Sequence, residues 1–230
     1  MPARDAQLEP AEIRDLERYL DATRSNLLFA RKVMLVEGPA ELFLIPPLLK
    51  KVKSIDLERE GISVIPIYGV HFDVYAKLFS ADALPKKCAI VTDGDLTPSD
   101  ANPSIDGEDV LPAPPDLAAL ENDFVRVFAC KTTFECALTF EGTLEMFARA
   151  ADDIGAPTAA DRLRDGLTAL AGAQDADAQE AILGPLRQTV LNTAKRFGKA
   201  RFAQIASRHV DAARAIPKYI IDATKWLAAP

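Results

Sequence analysis

The chain has 230 residues, 49% of them apolar, with a net charge of −7 and three cysteines. That is long and apolar enough for one substantial core, which excludes global disorder, and no run approaches the roughly 18 apolar residues that cross a bilayer. The negative charge argues against a general nucleic-acid coat protein. Cys88, Cys130 and Cys136 form no CxxC pair and read as reduced structural thiols. The charged start after Met1 offers no secretory signal. The expected location is the cytoplasm.

In chain order, residues 12–31 predict an amphipathic lead-in helix carrying Ile13, Leu16, Leu20, Leu27 and Leu28. Val33-Met34-Leu35-Val36 predicts a strand buried on both faces, stopped by Gly38 and Pro39. Pro39 suits a helix first turn, and Ala40–Leu49 predict an apolar helix with an interruption at Pro46-Pro47. A second strand follows at Ile62–Ile67, then a short helix over Phe72–Ser80. Cys88–Val91 predict a third strand ending in Thr92-Asp93-Gly94-Asp95, and the polar stretch from Leu96 to about Asp116 is too long for an ordinary connection. Phe124–Phe128 predict a fourth strand, ending in Cys130-Lys131-Thr132-Thr133-Phe134-Glu135.

Strand and helix alternate through this half, the pattern of a parallel α/β sheet flanked by helices. From Thr143 to His209 the periodicity is helical, with breaks expected near Gly155-Ala156-Pro157, Gly172-Ala173 and Gly184-Pro185. Pro217–Trp226 predict a short amphipathic helix that returns to the sheet. The expected organisation is a lead-in helix at 1–31, a core at 32–140, a helical insertion at 141–215 and a C-terminal helix at 216–230.

Three strand ends carry acids: Glu37 with Glu41, Asp93 with Asp95, and Glu135 two residues after Thr133. In a parallel sheet these ends share one edge, so sequence-distant carboxylates converge. Carboxylates crowded together repel unless cations sit between them, and oxygen-only donors favour Mg²⁺ or Mn²⁺ over zinc. Such a set has donors for two ions, about 3.5–4 Å apart in two-metal phosphoryl-transfer sites. Charge is segregated along the chain. No Lys or Arg occurs from Cys88 to Val125, whereas eight occur from Arg187 to Lys218 against the single Asp211. That division fits a cation site beside a phosphate-binding surface, and it also fits two solvated faces of opposite sign.

Leu35-Val36-Glu37-Gly38-Pro39-Ala40-Glu41 with Val91-Thr92-Asp93-Gly94-Asp95 resembles the Toprim signature shared by topoisomerases, bacterial primases and OLD-family (overcoming lysogenization defect) nucleases. The second acid four residues after the first is similar to OLD-family endonucleases in particular. So are Asn26–Lys32, Thr133-Phe134-Glu135, Phe197–Ala203 and Ile216–Ile220, which spread the resemblance from about Asn26 to Trp226. Thr97 stands where topoisomerases carry a third Asp, and Val70-His71 depart from the family's usual turn.

The resemblance implies a Toprim (Rossmann-like) fold and an endonuclease that cuts DNA with two Mg²⁺ or Mn²⁺ ions. It implies Glu37, Glu41, Asp93, Asp95, Thr133 and Glu135 as metal positions, and Glu37, Asp93 and Lys199 as catalytic. A lysine in a basic helical stretch can also bring charge to developing phosphorane oxygens. Lys195, Arg196, Arg201 and Arg208 are the candidate DNA contacts. The family normally carries an ABC-type ATPase domain before this region, while this chain has no GxxxxGK[ST] phosphate loop and so no ATP site of that kind. A homodimer fits a nuclease making two cuts.

Each signal has a bland reading too. Glu37 and Glu41 suit a helix start, Asp93-Gly94 a turn, Thr133 with Glu135 an N-cap and first-turn acid, and Lys199 a solvated face. The rival function is a receiver-like module, or a Toprim domain that binds or dimerises without cutting.

Overall fold

The computed structural model describes residues 26–68, 72–94 and 113–229. The lead-in before Asn26, the turn at Gly69-Val70-His71, Asp95 and Thr97 with the acidic stretch to 112, and Pro230 lie outside the described residues.

A short helix α1 (Asn26–Phe29) leads into β1 (Lys32–Val36), followed by α2 (Pro39–Lys53), α3 (Leu57–Glu60) and β2 (Ile62–Pro66). Then come α4 (Phe72–Ala76), β3 (Cys88–Thr92), α5 (Pro115–Ala118) and β4 (Val125–Ala129). The four strands are all parallel in the order β2-β1-β3-β4, so the Val-rich first strand and β3 are the central pair. Their side chains alternate between two buried faces, which is why these segments read as unbroken apolar runs. Met34, Val36, Ala89, Val91 and Phe128 face one cluster. Val33, Leu35, Cys88, Ile90, Val125 and Val127 face the other, covered by Leu27 of α1 and by Phe72, Tyr75 and Phe79.

The first face is covered by α2 and by the helices that follow β4: α6 (Phe134–Ala137), α7 (Glu141–Ile154), α8 (Pro157–Leu170), α9 (Ala176–Phe197), α10 (Lys199–Ala206), a 3-10 turn at Ser207–Ala212 and α11 (Lys218–Ala228). Phe147, Val190, Phe202 and Ile220 from these helices join Met34 and Val91 in one continuous cluster. The C-terminal helix does return to the sheet, where Trp226 sets its ring 6.2 Å from that of Phe128.

Two expected helix breaks do not occur. Helix α2 runs through Pro46 and Pro47. The prolines and the carbonyls they leave unbonded, those of Leu42 and Phe43, lie on its half-exposed side. Leu44, Ile45, Leu48 and Leu49 are buried on the other side. Those four side chains contribute about 1.5–3 kcal/mol each, which outweighs about 3 kcal/mol per proline. Helix α9 likewise continues through Gly184-Pro185, because Pro185 points to solvent while Leu183, Leu186, Val190 and Leu191 stay buried. It stops instead at Gly198, whose φ of 92° is the left-handed region that favours glycine. The break at Gly155 occurs as expected, with Gly155 closing α7 at φ 87° and Pro157 opening α8.

Candidate active site

Parallel pairing sets the strand ends level. Val36 is paired with Pro66 and Val91, and Thr92 with Ala129. Glu37, Asp93 and the turn after β4 therefore leave the sheet on one rim. Glu37 is clamped to the neighbouring strand: its Oε1 accepts from the Thr92 hydroxyl at 2.6 Å and from the Asp93 amide at 2.7 Å. Gly94 follows where two loops nearly touch. Its amide donates to the Thr132 carbonyl at 2.9 Å, and a Cβ there would stand 2.1 Å from the Cys130 carbonyl oxygen. No other residue fits that approach, so the glycine is what lets the β3 end lie against the turn before α6.

Glu41, in the first turn of α2, is only 6% exposed and accepts from the Gly38 amide at 3.2 Å. Helix cap and site residue are thus the same side chain. Loss of water pushes its carboxyl up to about 7; the backbone bond opposes this, and the charges of Glu135 and Glu37 add to it. Asp93 is half-buried, and its carboxyl is pushed well above the usual range, first by loss of water and then by Glu37, Glu41 and Glu135. Glu135, in the first turn of α6, is buried, and its Oε2 lies 3.0 Å from Nζ of Lys199 at the start of α10. Desolvation opposes the charge on Lys199, yet Glu135, Asp93 and Glu41 together hold its ammonium above the ordinary value.

Glu37, Glu41, Asp93, Glu135, Lys199 and Tyr68 line one cleft of about 350 Å³. Tyr68, half-exposed at its mouth with φ 58°, is a lining residue that the sequence did not single out. Nothing in the pattern Ile67-Tyr68-Gly69 marks it as a strand-end residue turned towards acids. Thr92 was missed for a plainer reason, since a strand-ending Thr is common and only the register puts it against Glu37.

Hard oxygen donors crowded together, with Glu41 and Asp93 pushed up by burial and by their neighbours' charge, fit a divalent cation, which would offset that repulsion. Among the described residues, however, no group of three His, Cys, Asp or Glu is arranged to hold an ion as it stands. The cause is visible: Glu37 is turned to Thr92 and Asp93, Glu41 to Gly38, and Glu135 to Lys199. Asp95 lies outside the described residues. Thr133 is the N-cap of α6, accepting from the Cys136 amide at 3.4 Å, and is not among the cleft's lining residues.

The basic positions divide. Lys195 and Arg196 are exposed at the end of α9, Arg201 on α10 and Arg208 on the 3-10 turn, and none of them lines the carboxylate cleft. Arg187, part of the same basic run, is fully buried with Nη1 2.6 Å from Oε1 of Glu180. It is a core ion pair and adds nothing to a basic surface.

Residues 28–95 match the family model for the overcoming lysogenization defect protein-like, TOPRIM domain. The fold is similar to the C-terminal region of the Xanthomonas campestris pv. campestris OLD protein, with TM-score 0.60 and 26% identity over 88% of this chain and 94% of that one. It is also similar to the C-terminal region of the Burkholderia pseudomallei OLD protein, with TM-score 0.59 and 23% identity over 87% of this chain and 100% of that one. Among curated proteins there is no match to the sequence.

Proposed function

From the premise that residues 28–95 are an OLD-like Toprim domain, we propose that the chain is the nuclease region of an OLD-family endonuclease. It hydrolyses DNA phosphodiester bonds with two Mg²⁺ or Mn²⁺ ions. The observation that supports this most is the convergence of Glu37, Glu41, Asp93 and Glu135, from three separate strand ends, on one cleft that also holds Lys199. When bound, the ions would polarise the phosphodiester and lower the pKa of the attacking water.

The chain's own residues do the rest. Glu37 keeps one oxygen on Thr92 and the Asp93 amide, which orients the other towards the cleft. Glu41, Asp93 and Glu135 would hold the ions, and a cation beside Glu135 would take the place Lys199 has there now, at 3.0 Å. Lys199 would then be available to the scissile phosphate, where its ammonium would offset charge that grows in the transition state. Lys195, Arg196, Arg201 and Arg208 hold the DNA backbone. Asp95 and Thr133 complete the ligand set in this reading. An ABC-type ATPase domain before the chain in the full-length protein, a homodimer and a cytoplasmic location belong to the same proposal.

A second reading, a Toprim module that binds or dimerises without cutting, draws on the inward-turned carboxylates and the absence of a ready three-ligand group among the described residues. Supercoiled plasmid incubated with the purified chain separates the two. Nicking that needs Mg²⁺ or Mn²⁺ and stops with chelator supports the nuclease. No cleavage, with no heat of divalent-ion binding by calorimetry, leaves only the module.

A further inference from the structure

Away from the carboxylate cleft, α8 and α9 enclose a larger one of about 960 Å³. Its floor exists because Gly166 lets the helices approach: a Cβ there would stand 2.3 Å from Cδ1 of Leu186. One wall is α8 with Arg162 one turn in. The other is a single face of α9, on which Gln188, Asn192 and Arg196 follow at intervals of four. Gln188 donates to Asn192 at 2.7 Å, which aligns the amides along the groove.

The cations of this groove differ from those nearby. Arg164, on the same helix, is paired with Asp152 at 2.5 Å and Asp161 at 4.0 Å. Arg162 and Arg196 are exposed and form no ion pair among the described residues; Arg196 lies 5.1 Å over the Phe197 ring instead. Asp165 is the acid among the lining residues, so the groove carries net positive charge. Along the chain, Arg196 of this groove is separated from Lys199 of the carboxylate cleft only by Phe197 and Gly198. Three residues reach at most about 10 Å, roughly three phosphates along one strand at about 3.4 Å each.

We propose that this groove is a second anchoring site for the DNA backbone, with Arg162 and Arg196 as its phosphate contacts, holding the strand that leaves the carboxylate cleft. Arg162 joins the binding surface from a helix that the basic run of the sequence does not include. The inference rests on the nuclease reading and adds a length requirement: duplex too short to reach from Lys199 past Arg196 loses the groove's contribution.

The test uses the full chain in Ca²⁺ with a fluorescent 40-base-pair duplex, read by anisotropy across a salt series. The double variant Arg162→Glu/Arg196→Glu should bind at least about tenfold more weakly, with the salt slope reduced by roughly 1.8 for two lost phosphate contacts. Arg162→Lys/Arg196→Lys should restore that slope, since point charge suffices for phosphate. Arg164→Gln, off the groove and already paired, should leave affinity unchanged. Should the glutamate pair misfold, the same readouts apply to Arg162→Gln/Arg196→Gln. Wild type that binds and cuts DNA while the double variant matches it in affinity and slope overturns this inference, and with it the place of Arg196 among the DNA contacts, and leaves the nuclease reading standing. Wild type without affinity for the duplex overturns the nuclease reading and this inference together.

Discussion

At the amino rim of the sheet, Lys86 gives its ammonium to three backbone carbonyls, those of Leu27, Leu28 and Ala30, at 2.8–2.9 Å. Beside it Lys87 donates to the carbonyls of Trp226 at 3.2 Å and Ala229 at 2.9 Å, a cation at the end of α11 where the helix dipole favours one. Both charges are spent on oxygens that need a donor, and both tie distant chain segments to the sheet. At the carboxyl rim four carboxylates crowd round one half-exposed lysine, and loss of water and mutual repulsion push two of them, Glu41 and Asp93, up from the ordinary carboxylate range. Charge at one rim is matched and structural. At the other it is in excess and available to a ligand.

The contrast can be broken from either side, most strongly at the carboxyl rim. Glu37→Gln and Asp93→Asn keep shape and remove charge, so cleavage should fall about 10³-fold while the melting temperature holds or rises. Cleavage at the wild-type rate would remove these carboxylates from the site.

The next effect is on stability. Folding raises the Glu41 carboxyl from 4.5 to about 7, so the folded chain binds the proton more tightly than the unfolded one. Its contribution is fully present below pH 4.5 and is lost as pH rises through 7. It amounts to about 3 kcal/mol. Without divalent ions the chain should therefore melt at lower temperature at pH 8 than at pH 5.5, and Mg²⁺ should narrow the gap. Equal melting temperatures in chelator would contradict the excess-charge account.

At the amino rim, Lys86→Met should cost about 1.5–3 kcal/mol by leaving three carbonyls without their charged donor, with cleavage per folded molecule intact. A denaturant midpoint equal to wild type would mean that the tie carries no weight. The smallest effect expected is that of Lys199→Met. With its side chain half-exposed and its charge screened, cleavage should fall about tenfold, and calorimetry should find divalent binding preserved. Unchanged cleavage would confine Lys199 to its ion pair with Glu135.

Much of this was legible in the residues alone. Unbroken apolar runs such as Val33–Val36 and Cys88–Val91 require burial on two faces, and acids that follow such runs directly must sit on the sheet rim whatever the details of packing. Glu37, Glu41 and Asp93, together with the helical character of everything after α6, could be read for that local reason. Gly155-Ala156-Pro157 was legible as a break for the same reason, since cap glycine and first-turn proline act within a few residues.

Other features depend on partners far along the chain. Pro46-Pro47 and Gly184-Pro185 look like breaks locally, but buried stripes elsewhere on the same helices override them. Arg187 counts as a surface cation until tertiary packing sets it against Glu180 in the core. Thr133 has two possible uses for one hydroxyl, and only the tertiary structure shows that it caps α6 while lying off the lining of the carboxylate cleft. Gly94 is required by a loop 36 residues away in sequence, at Cys130. The sequence by itself determined which segments are strands and that acids end them, because burial and turn chemistry act over a few residues. Only the tertiary structure decided which charges are matched and which are left over, because pairing depends on distance and desolvation between segments that the chain order keeps apart.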